Sequence, residues 1–184
     1  SASVSEHDLD PDPTIIAALS DITTSSAHAY DLKDSAGEQM GCVHVDAITD
    51  VTVQQQLDGD AYFGLYHSKI GPEYQVRVAT SKDLMHWTFR RTLVANADMP
   101  FLARVTDSAW LILAHEQWMN TGSSLPSQLG FKLYYNESEL LLAGSHFNSF
   151  IAPLSLGQES KLEGTPSFYT ANLTQDSSGL YMVN

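Results

Sequence analysis

Acidic and aromatic side chains near the middle of the chain are of the types that bind sugars. Glu116 follows His115 and the apolar run at 110–114, and its carboxylate could accept a hydrogen bond from a sugar hydroxyl or pair with a cation. Trp118 and Tyr62 carry apolar ring faces of the kind that stack on a sugar ring. The competing interpretation is structural, since a Glu at a strand end often meets solvent and aromatic rings often fill a core.

Other chemistries lack their usual residues. The sequence contains no G-x-G-x-x-G, Walker, C-x-x-C or G-x-S-x-G pattern, so nucleotide, redox and serine-hydrolase functions have no support. Cys42 is the single cysteine, which excludes an intramolecular disulfide and a multi-thiolate metal site. His44, His67, His86 and His146 do not have a metal-ligand spacing. The sequence therefore predicts no cofactor.

The charge of the chain limits its partners. There are 22 acidic and 9 basic residues, giving a formal net charge of -13. Such a chain repels polyanions, which argues against nucleic acid or an anionic membrane surface as partner. A neutral ligand such as a glycan meets no such repulsion, although the acidity could also serve solubility alone.

The sequence around these candidate site residues predicts β-strands. Alternating or aromatic runs at 43–48, 61–67, 74–80 and 86–89 predict four successive strands, and 50–56 is a further β-branched run of strand type. The Asp58-Gly59 pair between two of them is a tight-turn signal. A series of short strands joined by short turns is typical of one four-stranded blade of a β-propeller.

The same pattern of short predicted strands continues along the chain. Strands are predicted at 99–105, 110–116 and 129–135, with the fourth strand at either 138–143 or 147–154, and a further unit begins near Glu163. The expected organisation is a lead-in at 1–40 with a possible ring-closing strand, blade one at 41–95, blade two at 96–160 and the start of blade three at 161–184. An all-β sandwich is the competing architecture.

Three stretches resemble the five-bladed propellers of glycoside hydrolase family 43 and related arabinase- and invertase-like proteins. They are the Tyr-rich run at 62–68 followed by the A-T-S-K-D-L-M-H-W run at 79–87, the apolar strand at 110–117, and Leu162-Glu163-Gly164-Thr165-Pro166. The resemblance covers the chain from about Gly41 onward. It implies an all-β, five-bladed β-propeller of four-stranded antiparallel blades, of which this chain supplies the first two to three.

The resemblance also implies a set of acidic residues converging on a central cavity. Enzymes of that family use one Asp to activate water, a second Asp to orient the acid, and a Glu to protonate the leaving oxygen, with inversion at the sugar. By position, Asp50 matches the first Asp, with Asp46 as its rival and a further candidate for binding substrate. Asp98 matches the second Asp, and Glu163 in Glu-Gly-Thr-Pro matches the general acid.

These observations predict a secreted, carbohydrate-active protein that binds a glycan or oligosaccharide. An inverting glycoside hydrolase is the first hypothesis, and a non-catalytic glycan-binding propeller or a structural scaffold is the alternative. The sequons at Asn136 and Asn172 fit a glycosylated protein of the secretory route. A second polypeptide is expected to complete the ring, and a calcium ion in the central channel, as some relatives have, is without sequence support.

Overall fold

The computed structural model describes residues 13, 14, 16, 17, 32–104, 110–118, 127–142, 148–151, 167–170 and 180–183. The chain divides into two compact units, Ser1–Asp31 and Leu32–Asn184. In the first unit, residues 13, 14, 16 and 17 are helical. The second unit consists mostly of antiparallel β-sheet, which confirms the all-β class.

The first sheet contains four strands that pair in sequence order. They are β1 (Gly41–Ala47), β2 (Tyr62–Ile70), β3 (Glu73–Ser81) and β4 (Thr88–Ala95). Every pairing is antiparallel. β2 and β3 are joined through a tight turn in which Gly71 has a φ of 60°, a left-handed conformation that glycine adopts without a side-chain clash.

A second four-stranded antiparallel sheet follows, again paired in sequence order. Its strands are β5 (Ala97–Arg104), β6 (Leu111–Trp118), β7 (Ser127–Tyr134) and β8 (Asn148–Ile151). Of the two expectations for its fourth strand, the one at 147–154 contains β8. The one at 138–143 is wrong, because Glu137–Leu141 forms helix α2. Beyond these sheets, β9 (Ser167–Thr170) pairs antiparallel with β10 (Leu180–Val183).

The strand expected at 50–56 is also wrong, because Val51–Gln56 is helix α1. Asp50 caps this helix: it has extended backbone, and its carboxylate accepts hydrogen bonds from the amides of Thr52 (2.8 Å) and Val53 (3.3 Å). Val53 is the buried residue of α1 and packs into the core. The cap and this one apolar anchor outweigh the modest helix propensity of the β-branched residues.

The two sheets share one hydrophobic core. The first sheet contributes Phe63, Leu65, Val76 and Val78, and the second contributes Leu102, Leu111, Leu113 and Tyr134, all of them buried. β5 is the strand of the second sheet that contacts β2 and β3. Fully burying a side chain of this size is worth about 1.5–3 kcal/mol, so this shared core holds the two sheets together.

The opposite face of the first sheet is covered by residues 32–40. Met40 packs with Tyr66, Ala79 and Trp87 in a second apolar cluster. Asp34 fixes the segment in place, because its buried carboxylate accepts a hydrogen bond from the Tyr66 hydroxyl and lies 3.1 Å from the Arg77 guanidinium. Residues 32–40 therefore belong to the same compact unit as the sheets.

Candidate carboxylate site

Two buried carboxylates face each other across β5 and β6. Asp98 and Glu116 are direct partners in the antiparallel pairing, and they are 9% and 1% exposed. Side chains in this relation have Cβ atoms about 4.5–5.5 Å apart. Oε1 of Glu116 has no hydrogen-bond partner among the described residues. The pair places two acceptor groups side by side at a site from which water is largely excluded.

The backbone around Asp98 is bent by a β-bulge. The regular pairing of β5 with β6 is interrupted between Asp98 and Phe101, and Met99 within the bulge has a φ of 48°. Asn96, two residues before Asp98, has a φ of 52°. Positive φ is uncommon for residues other than glycine and is concentrated at functional sites, where bulges also re-aim side chains. Asp98 thus lies between two strained backbone positions.

Beside this pair, hydrogen bonds join Asn96 to the end of β6 in the second sheet. The amide of Trp118 donates to the carbonyl of Asn96 (2.9 Å), and Nδ2 of Asn96 donates to the carbonyl of Trp118 (2.8 Å). Nε2 of Gln117 also donates to the carbonyl of Asn96 at 2.9 Å. Trp118 is 3% exposed. Its indole therefore contributes to the wall beside Glu116 and offers no open face for stacking.

The first sheet repeats this bulge with different side chains. The pairing of β1 with β2 is interrupted between Gly41 and His44, and Cys42 there has a φ of 47°. Gly41 is opposite His67 just as Asp98 is opposite Glu116. The two positions that carry carboxylates in the second sheet are thus glycine and histidine in the first.

Asp46 and Asp50, the two candidates for the first catalytic Asp, are used in local structural contacts. Asp50 is exposed and caps α1. Asp46 accepts a hydrogen bond from its neighbour Ala47 (2.7 Å) and forms an ion pair with Arg104 through Nε (2.7 Å). Each carboxylate already has donors, and neither lies in a buried site.

The structure does not bring Asp46 and Asp50 together with Asp98. β1 and β5 run in the same direction, because His44 contacts Phe101 (ring centroids 5.0 Å apart) and Asp46 contacts Arg104 further along. Asp98 is six residues before Arg104, at the other end of β5 and across the bulge. Asp50 is also at the Arg104 end, because its amide donates to Glu137, the ion-pair partner of Arg104. Asp98 and Glu116 are the pair that the fold brings together.

The remaining predicted site residues lie elsewhere. Tyr62 begins β2 and packs against the second apolar cluster, on the face of the first sheet that lies away from the second sheet. Asn136 is the N-cap of α2, and its Oδ1 accepts from the amide of Glu139 (2.9 Å). Glu163 and Asn172 lie outside the described residues.

Sequence reasoning missed Glu137, a carboxylate that joins distant parts of the chain. It is 4% exposed, and it accepts hydrogen bonds from the amide and hydroxyl of Thr49 and from the amide of Asp50, all within 2.9 Å. Arg104 lies 2.8 Å away as its ion-pair partner. Asn136 followed three residues later by Glu139 is the helix-start signal that could have placed Glu137 on a helix.

A buried histidine lies on the core face of the second sheet. His115 is 2% exposed and packs against Gly130, where an added Cβ would clash with its ring. Burial lowers the pKa of His115 to about 4, and the ammonium of Lys132 acts in the same direction. Burial also lowers the pKa of Lys132, whose Nζ donates to the carbonyl of Leu93 at 2.7 Å. His115 is consequently neutral inside the fold at pH 7.

Within the described ranges, no three His, Cys, Asp or Glu side chains are grouped so that they could hold a metal ion. No helix in the part of the chain that the structure describes is both long and apolar enough to span a bilayer.

Comparison with known proteins adds no relative. A scan against protein-family models, a search of curated proteins and a search of solved structures each returned no match.

Proposed function

We propose that the protein is a carbohydrate-active β-propeller protein that hydrolyses glycosidic bonds at the end of the second sheet carrying Asp98 and Glu116. Two successive four-stranded antiparallel sheets with the same strand order and the same first-strand bulge support a repeated blade. That five such blades form a ring, and that a second polypeptide completes it, stay predictions. The net charge of -13 fits a neutral glycan better than a polyanion.

The buried cross-strand pair of Asp98 and Glu116 is the observation that carries this proposal. Glycoside hydrolysis requires carboxyl groups held at fixed positions around an oxocarbenium-like transition state. Burying the Glu116 carboxylate, one oxygen of which has no hydrogen-bond partner among the described residues, costs free energy through desolvation. A fold that accepts this cost at a strained bulge has the character of a functional site, because a purely structural position could hold apolar residues instead.

The roles follow from position. Glu163 is proposed as the general acid on its Glu-Gly-Thr-Pro setting. Asp98, the more accessible of the two paired carboxylates, takes the role of the base that activates water. Glu116, opposite Asp98 on the facing strand, is proposed to accept a hydrogen bond from a substrate hydroxyl. The capping contacts of Asp50 give no support to a catalytic role for that residue.

The test is a panel of aryl-glycosides together with arabinan, xylan and fructan oligomers. For whichever substrate turns over, Glu163→Gln lowers kcat/KM by about 10²–10⁴, the usual contribution of a general acid. Binding of the intact oligomer should persist in that variant. Turnover that survives Glu163→Gln would remove the acid assignment.

The alternative function is a non-catalytic glycan-binding propeller. The structural use of Asp46 and Asp50 favours it, since two acidic residues expected in the catalytic set are then engaged in structural contacts. In that case the whole panel shows no turnover, and saturable oligosaccharide binding is lost in Glu116→Gln.

A further inference from the structure

Asn96 and Gln117 form a hydrogen-bonded clamp beside Asp98, at the junction between the two sheets. β4 ends at Ala95 and β5 begins at Ala97, so Asn96 alone joins them, with a φ of 52°. Nε2 of Gln117 donates to the carbonyls of Ala95 (3.3 Å) and Asn96 (2.9 Å). One side chain of β6 therefore fixes the chain where it passes from the first sheet into the second.

The Asn96 side chain adds a second connection to β6. Its Nδ2 donates to the carbonyl of Trp118 at 2.8 Å, and the amide of Trp118 donates to the carbonyl of Asn96 at 2.9 Å. Asparagine adopts the left-handed conformation more readily than most residues other than glycine. Asn96 thus combines the backbone turn that the junction needs with a side-chain donor that reaches β6.

The β-bulge gives Asp98 less support from the pairing on its other side. The regular pairing of β5 with β6 stops at Asp98 and resumes at Phe101, and Met99 between them has a φ of 48°. A bulge disrupts the hydrogen bonds that would otherwise hold the strand in register. The position of the Asp98 carboxylate opposite Glu116 therefore depends strongly on the contacts that precede it, which are those of the clamp.

The first sheet has a corresponding bond beside a cross-strand pair that carries no carboxylate. Gly41 and His67 form that pair at the bulge of the first sheet. Oγ of Ser68, the residue after His67, donates to the carbonyl of Gln39, two residues before Gly41, at 2.7 Å. The clamp of the second sheet has the same offsets from its own cross-strand pair. The first sheet therefore offers a matched control.

We propose that Asn96 and Gln117 are positioning residues that hold the Asp98 carboxylate opposite Glu116 for the proposed hydrolysis. This inference rests on the proposed function, in which Asp98 is the base that activates water. Moving a catalytic group by about 1 Å can cost about 10² in rate. Because the clamp acts through Asp98 and not on the substrate, its loss lowers kcat and leaves KM nearly unchanged.

The experiment compares Gln117→Leu and Asn96→Gly with Ser68→Ala in the full chain, on the best substrate of the glycoside panel. Leucine has a size close to that of glutamine but no donor, and glycine keeps the φ of Asn96 without its side chain. Ser68→Ala removes the corresponding bond of the first sheet. We measure kcat and KM across pH, and urea denaturation gives the stability of each variant. Each clamp variant tests the proposal by itself, so one that fails to fold leaves the other.

In both clamp variants we expect kcat to fall by about 10–100-fold and KM to change by less than about twofold. The acidic limb of the pH profile of kcat/KM should move, because that limb reports the pKa of the base. Ser68→Ala should lose a similar amount of stability and keep the wild-type kcat and pH profile.

Three results would overturn the inference. Wild-type turnover with kcat retained in both clamp variants removes the positioning role and leaves the hydrolase proposal standing. So does a loss of kcat in Ser68→Ala as large as in the clamp variants, because the effect then follows stability and not Asp98. Absence of turnover by the wild-type protein on every substrate overturns both proposals.

Discussion

At the scale of single residues, Glu137 has a carboxylate that is fully used inside the fold. It joins the Thr49–Asp50 turn, through three donors, to Arg104 at the end of β5. Removing one partner of a buried, hydrogen-bonded ion pair leaves the other groups without compensation. Asp46 binds the same arginine but is about one-third exposed. The two carboxylates therefore provide a matched comparison of a buried and a partly exposed partner of the same arginine.

We predict that Glu137→Ala lowers the free energy of unfolding by about 3–5 kcal/mol. Asp46→Ala should lower it by at most about 1 kcal/mol, because solvent screens its pair with Arg104. Urea denaturation of both variants measures the difference. Equal losses in the two variants would show that the contacts of Glu137 do not stabilise the fold.

The buried His115 makes a second prediction, on pH. Because its pKa is lowered from 6.5 to about 4 in the folded state, the unfolded chain binds the proton first as the pH falls. The free energy of unfolding should therefore decrease between pH 6.5 and 4, by about 3 kcal/mol in total from this residue. Denaturation curves across this range measure the loss.

His115→Gln should remove that part of the pH dependence. His86→Gln is the control, since the side chain of His86 is exposed and contacts Asp83 at the protein surface. If the wild-type and His115→Gln proteins lose stability in parallel on acidification, another group is responsible.

At the scale of elements, the strands were predictable and the short helices were not. The alternation at 61–67 and 74–80 is typical of half-buried strands, and β2 and β3 contain both runs. Helix α1 was predicted as a strand because Val51, Thr52 and Val53 are β-branched. Its cap, Asp50, and the polar residues after Val53 were the signals for a helix.

The candidate site was only partly accessible from sequence, for a related reason. Asp98 and Glu116 could each be singled out by type, but their pairing depends on the β5–β6 register and the bulge at Met99. Register is fixed by contacts over many residues, so no short sequence motif predicts it. The network of Glu137 and Arg104 was missed because it joins residues far apart in the chain.

Helix α1 gives the prediction that separates a cap from a catalytic group. Asn caps a helix about as well as Asp, so Asp50→Asn should leave both stability and any turnover nearly unchanged. Asp50→Ala should lower the free energy of unfolding by about 1 kcal/mol through loss of the cap. Chemical denaturation and the kcat of both variants test this. A large loss of kcat in Asp50→Asn, with stability retained, would restore Asp50 as a catalytic candidate.

At the scale of the whole molecule, the shared core predicts that the two sheets unfold together. Leu113 is fully buried between them, and Leu113→Ala should cost about 2–5 kcal/mol. Val45→Ala on the exposed side of β1 should change stability by less than about 0.5 kcal/mol. Fluorescence and far-UV circular dichroism should report one coincident transition for each variant. Two separate transitions would contradict a common core.

The central claim is that function resides at the Asp98–Glu116 end of the second sheet and not at the Asp46–Asp50 end. The most direct measurement is kcat/KM on the best oligosaccharide for Asp98→Asn and for Asp46→Asn, with the stability of each verified. The account predicts a loss of about 10²–10⁴ for Asp98→Asn and a change within about threefold for Asp46→Asn. A large loss confined to Asp46→Asn would contradict it.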